Sequence, residues 1–181
     1  MRILYLSFTI FCFVRANTLL PPSDFLGYKL GDKFTSHHLV IDYLFHVSQN
    51  EPNVKIIEYG KTYEGRPLML VFISSVDNMD KLEQIRKDNL TRAGIIKGST
   101  KTKKVGIVWL SYNVHGNEAN STEAAMKTLH ALADKSNINT QEWLKNTVII
   151  IDPSVNPDGR DRYANWYRMT ANRWPDADPL G

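Results

Sequence analysis

Val105-Gly106-Ile107-Val108-Trp109-Leu110-Ser111-Tyr112-Asn113-Val114-His115-Gly116-Asn117-Glu118 is the stretch on which the reading of this sequence turns: an apolar run that ends in H-x-x-E. An imidazole nitrogen and a carboxylate oxygen are ordinary Zn²⁺ ligands, and a separation of three residues at a strand-to-helix turn lets both address one metal. His115 and Glu118 are therefore candidate zinc ligands. A catalytic zinc takes three protein ligands and keeps a fourth position for water. No histidine follows His130, so the pair reads as half of a site whose third ligand is expected beyond Gly181.

Around this stretch the pattern alternates between strand and helix. Residues 34–48 place Leu39, Ile41, Leu44, Phe45 and Val47 at amphipathic helical spacing, and Asn50-Glu51-Pro52-Asn53 closes the segment. Residues 54–60 and 67–74 read as strands of a hairpin around the polar, Gly65-containing turn 61–66. Residues 79–90 look helical and heavily charged, and 98–104 form a polar linker into the strand 105–112. The segment 119–135 carries Ala124, Ala125, Thr128, Leu129 and Leu132 at helical spacing, with Glu123 near its first turn. A short helix around 141–145 precedes Thr147-Val148-Ile149-Ile150-Ile151, an unbroken β-branched run of the kind buried on both faces. The alternation predicts an α/β fold with a mixed β-sheet flanked by helices.

Composition bounds the function classes. The chain has 181 residues, 43% of them hydrophobic, which suits one globular domain or a large part of one. Its 22 basic and 19 acidic residues are interspersed. No nucleic-acid partner is expected, and Lys101-Thr102-Lys103-Lys104 reads as a solvated loop. Arg2, the apolar run 3–14 and the small Ala16 form a signal-peptide pattern over 1–16, which predicts a secreted or periplasmic protein. The apolar run is too short for comfortable membrane insertion. The single cysteine, Cys12, falls inside that leader. The exported chain then has no thiol chemistry, and catalysis must draw on His, carboxylates, hydroxyls or bound metal. Asn89-Leu90-Thr91 and Asn120-Ser121-Thr122 match the glycosylation pattern, which matters only in a eukaryotic source.

Two strand ends carry the polar residues. One runs into His115 and the other into Asp152-Pro153-Ser154-Val155-Asn156-Pro157-Asp158-Gly159, and open α/β sheets bind ligands outside the carboxyl ends of their strands. Taken alone, Asn156-Pro157-Asp158-Gly159 reads equally well as a tight turn. The series Tyr59-Gly60-Lys61-Thr62-Tyr63-Glu64-Gly65-Arg66-Pro67-Leu68, His115-Gly116-Asn117-Glu118, Asn156-Pro157-Asp158-Gly159 resembles, in order and setting, the zinc metallocarboxypeptidase family. In its His-Gly-Asn-Glu form it is more similar to the carboxypeptidase E and N branch than to the digestive enzymes.

The resemblance spans 34–159 and implies a carboxypeptidase-like mixed sheet and one Zn²⁺ held by His115, Glu118 and a later histidine. It further implies hydrolysis of peptide bonds at or near the C-terminus of a peptide or protein substrate. The expected organisation is a leader over 1–16, a lead-in over 17–33 and the first part of the catalytic domain over 34–181. In the family the general base, the third ligand and the groups that grip the substrate lie later. This chain is thus expected to be an N-terminal fragment, inactive alone, with an open sheet edge. Asn117 stands where the digestive branch carries an arginine, so no substrate role transfers to it. Arg160, Arg162, Arg168 and Arg173 include possible oxyanion stabilisers, although a solvated, aromatic-interleaved loop is the plainer reading. Residues 77–104 read as a surface insertion, and His37 and His38 as exposed. The alternatives are a non-catalytic truncated binding module and a zinc deacylase of the aspartoacylase type.

Overall fold

The computed structural model describes residues 18–171; the expected leader, Arg173 and Trp174 lie outside them. Four strands form one sheet in the order β1-β2-β4-β3: β1 Val54–Lys61, β2 Pro67–Ile73, β3 Gly106–Ser111 and β4 Thr147–Asp152. The first two make the expected antiparallel hairpin, β2 also runs antiparallel to β4, and β3 lies parallel to β4. The sheet is mixed, as the alternation predicts. Gly65 turns the hairpin at φ 80°, a conformation that costs a residue with a Cβ but not glycine.

Helices cover one face well. The lead-in forms a short helix, α1 Pro22–Leu26, against α2 His37–Asn50, and α5 Ser121–Ala133 lies beside α2. Val40, Tyr43, Leu44 and Val47 of α2, at spacings of three and four, meet Ala125, Met126 and Leu129 of α5 over Val71, Ile73, Ile149 and Ile151 of the sheet. Each fully buried Val, Leu, Ile or Met among them contributes roughly 1.5–3 kcal/mol. The β-branched run of β4 is buried from Val148 to Asp152, because the opposite face is covered too.

That second cover comes from the segment read as a surface insertion. Residues 77–104 contribute to α3 Val76–Met79 and form α4 Leu82–Arg92, and Ile85 packs with Leu70, Val105, Val148 and Ile150. The long connection tail is tied down by Asp88, which accepts from the Lys101 backbone at 2.9 Å and the Thr102 hydroxyl at 2.6 Å. A single buried apolar residue, Ile85, with Leu82 partly buried beside it, docks this charged helix, and the charge pattern hid that docking. The short α6 Ile138–Leu144 leads into β4, and α7 Pro157–Thr170 follows it. Among the described residues β3 pairs on one side only, and Ile107, Val108 and Trp109 are 43%, 43% and 58% exposed. No helix of the described residues is long and apolar enough to cross a membrane.

Candidate metal centre

The parallel pairing of β3 and β4 brings their carboxyl ends side by side, and hydrogen bonds continue past the ladder. Tyr112 donates to the Asp152 carbonyl at 2.9 Å, Val155 to Tyr112 at 3.0 Å and Asn156 to Asn113 at 3.1 Å. The two loops that carry His115 and Asn156 are therefore held as one structure. At the end of β3 the chain turns on Asn113, a buried residue at φ 54°. Asn is among the few side chains that visit this left-handed region.

The Asn113 amide then does what the turn requires. Its Nδ2 donates to the His115 carbonyl at 2.9 Å and toward that of Glu118 at 3.3 Å, while its Oδ1 accepts from the Ser154 hydroxyl at 2.9 Å. Glu118 N donates to the His115 carbonyl at 3.1 Å, and the Ser121 hydroxyl to the Glu118 carbonyl at 2.6 Å. The backbone of both candidate ligands is thus braced from below. Their side chains point outward, 73% and 55% exposed, with His115 Nδ1 3.1 Å from Glu118 Oε1.

That spacing is near what two ligands of one metal need: bonds of about 2.1 Å in tetrahedral geometry put neighbouring donors about 3.4 Å apart. The imidazole beside it holds the Glu118 carboxyl below its ordinary pKa, so the carboxylate form that ligates is favoured. No group of three or more His, Cys, Asp or Glu suited to a metal occurs among the described residues.

Asn156-Pro157-Asp158-Gly159 is neither a free turn nor a second ligand set. It is the cap and first turn of α7: Asn156 Oδ1 accepts from Gly159 N at 2.9 Å, and proline occupies the first helical position, where its missing N–H leaves nothing unpaired. The same turn backs the ligand loop. A Cβ on Gly116 would lie 2.3 Å from the Gly159 backbone carbon, so the glycines of the two motifs are in mutual backbone contact. Asn156 Nδ2 lies 3.3 Å from the Val114 carbonyl it donates to.

The stretch after Gly159, read as a loop, is helical through Thr170. Its aromatic residues, Tyr163 and Tyr167, pack edge-on to Phe34, and the short period of charged residues obscured the helix. Arg160 is 1% exposed and turned inward. Its guanidinium donates to the Thr35 carbonyl, to the Ala119 carbonyl at 3.1 Å and to Glu123 Oε1 at 2.7 Å. It holds the residue after Glu118 and is not free to meet a substrate oxyanion. Arg162 pairs with Glu64 at 2.9 Å, and Arg168 donates to the Phe34 carbonyl.

The histidine pair also differs from expectation. His38 is exposed, but His37 is buried and its Nε2 lies 2.9 Å from the Pro67 carbonyl. Burial pushes its pKa below the ordinary value, against the pull of that carbonyl. Asn113, Ser154 and the Arg160–Glu123 pair are the site residues that sequence reasoning missed. The signal available was slight: an Asn two positions before the histidine, where a strand must turn sharply.

The fold and the motifs have known counterparts. The chain is similar in structure to carboxypeptidase A from Helicoverpa armigera, with TM-score 0.55 and 22% identity over 79% of this chain and 34% of that one. Bovine thrombin-activatable fibrinolysis inhibitor, solved with a tick carboxypeptidase inhibitor, gives TM-score 0.52 and 17% identity over 82% of this chain and 40% of that one. A structure from Shewanella denitrificans, named for carboxypeptidase A, gives 0.51 and 19% over 74% and 28%. The chain therefore spans well under half the length of each. No curated protein sequence matches it. Residues 40–179 match the zinc carboxypeptidase family, and the chain belongs to that family.

Proposed function

We propose that this chain supplies the first part of the active site of a zinc-dependent metallocarboxypeptidase that hydrolyses peptide bonds at or near the C-terminus of peptides. The observation that carries the reading is the exposed His115–Glu118 pair, 3.1 Å apart, on a loop braced at the carboxyl end of β3. His115 and Glu118 would hold the ion. When bound, zinc lowers the pKa of its water toward neutrality and polarises the scissile carbonyl.

The chain's own residues set what each can do. Glu118, with its lone pairs committed to metal, is not the proton-transfer base, so that role falls to another carboxylate. Arg160, enclosed by Thr35, Ala119 and Glu123, orients the ligand loop. The remaining ligand and the substrate pocket belong to sequence outside this stretch, in keeping with its coverage of 28–40% of the solved relatives and with the open edge of β3. The His-Gly-Asn-Glu form supports the carboxypeptidase E and N branch. The leader pattern over 1–16 supports export.

The test is zinc analysis of the full-length protein together with release of C-terminal residues from peptides. One zinc per chain, lost with activity in His115→Ala, is the expected result. A folded protein that holds no stoichiometric zinc would leave the binding-module reading instead, and cleavage of acyl-amino acids in place of peptides would favour the deacylase.

A further inference from the structure

The hairpin turn and the α7 cap share no sequence signal for metal binding, yet they lock together beside the ligand loop. Asp158 Oδ1 accepts from the Thr62 hydroxyl and from Arg66 Nη1, both at 2.7 Å, and its Oδ2 accepts from Glu64 N at 3.2 Å. Arg66 Nε donates to Asp161 at 3.0 Å, one turn along the same helix. Inside the turn, Thr62 also accepts from Arg66 N at 3.0 Å. Burial pushes the Asp158 pKa up, but the Thr62 and Arg66 hydrogen bonds outweigh it and the net direction is down. The carboxylate is thus held charged at neutral pH.

Asp158 sits between the hairpin on one side and, through its neighbours, the ligand loop on the other. Gly159 abuts Gly116 and Asn156 reaches the Val114 carbonyl. Val114 and Gly116 flank His115 in the chain. We infer that Asp158, gripped by Thr62 and Arg66, is a positioning residue for the His115–Glu118 pair: it fixes the first turn of α7 and thereby the backbone on which the ligand loop rests. The assignment rests on the zinc reading above, and it explains why a hairpin tip and a helix cap that touch no metal accompany the ligand motif. A support of this kind acts on affinity, since outer contacts that orient ligands are worth about 10–100-fold in metal binding.

The experiment uses the full-length protein with Asp158→Asn, Arg66→Ala, the double variant, and Asp88→Asn as a control clamp on the opposite side of the molecule. Two quantities are read: zinc affinity by chelator competition, and amide exchange across 113–121 in metal-free protein. Each single variant is expected to weaken zinc about tenfold. The double variant is expected to weaken it by clearly less than the two single effects combined, because the residues share the Arg66–Asp158 contact; fully additive losses would overturn their joint action. Exchange across 113–121 should rise in the metal-free variants while that of β4 is unchanged. Asp88→Asn should alter neither quantity, whatever it does to the melting temperature. Unchanged exchange over 113–121 in Asp158→Asn would overturn the positioning role, as would losses of zinc that merely track melting temperature across all variants. If wild-type protein binds no zinc, the zinc reading fails alone, and exchange in the metal-free protein still decides the clamp.

Discussion

The loops that leave β3 and β4 start side by side and end as opposites. After β3, His115 and Glu118 are largely exposed; after β4, Ser154, Pro157 and Arg160 are buried. One loop presents the candidate ligands, and the other is packed beneath it. The division has a physical basis. A metal ligand must face a cavity or solvent, whereas a support gains rigidity from buried, hydrogen-bonded polar groups, which makes each lost partner costly. Substitutions should therefore separate stability from metal binding according to which loop they strike.

The largest effect is expected at Glu123, whose Oε1 accepts from both Thr35 N and Arg160 Nη2. Glu123→Ala removes the carboxylate paired with the buried Arg160 at 2.7 Å, leaving it two carbonyl acceptors and the more distant Asp161 at 3.9 Å, and should destabilise by about 3 kcal/mol in chemical denaturation. A loss under about 1 kcal/mol would mean that water reaches the guanidinium.

Next comes the seam itself. Gly116→Ala should cost about 3 kcal/mol, the upper range for overpacking, because the obstructing atoms are Gly159 backbone and cannot swing aside. Gly60→Ala, where a Cβ meets nothing within 4 Å, is the matched control and should stay within about 0.5 kcal/mol. Equal melting temperatures for the two would break the claim that the loops are in contact.

His115→Ala sharpens the comparison from the other side. It should abolish stoichiometric zinc yet change the stability of metal-free protein by no more than about 0.5 kcal/mol. A large loss of metal-free stability would move His115 into the supporting group.

The smallest effect is one of pH. The folded-state pKa of His37 lies below its ordinary 6.5, so the unfolded chain takes up the proton first as pH falls. Stability should then decrease below about pH 6.5, with a slope no steeper than about 1.4 kcal/mol per pH unit. Asp152 works in the opposite sense, since burial, opposed by the Tyr59 hydrogen bond, raises its pKa; the folded state binds its proton first and gains as acid is added. His37→Gln should lessen the loss just below pH 6.5 without abolishing it, because burial also lowers the pKa of His46. An unaltered pH profile in urea titrations would exclude His37 as its source.

The hairpin, the buried β4 run and α5 were legible in the sequence because each depends on short-range periodicity. The docking of the charged α4, itself legible as a helix over 79–90, and the helix α7 were not. Helix α4 docks through Ile85 and α7 buries Ala164, Pro157 and Arg160, too few apolar positions to stand out among the charges. Within the candidate site, the closeness of His115 to Glu118 was legible and its support was not, since Asn113 meets Ser154 and Arg160 meets Glu123 across 41 and 37 residues.

By itself the sequence determined the layered mixed-sheet class, the polarity of the two strand ends and the pairing of His115 with Glu118, all consequences of side-chain type and spacing along the chain. Only the tertiary structure decided that Arg160 faces inward, that two glycines from separate motifs touch, and that Thr62 and Arg66 grip Asp158. Those contacts depend on how β3 and β4 lie beside each other and on which groups lose water there, and neither is a property of any one segment.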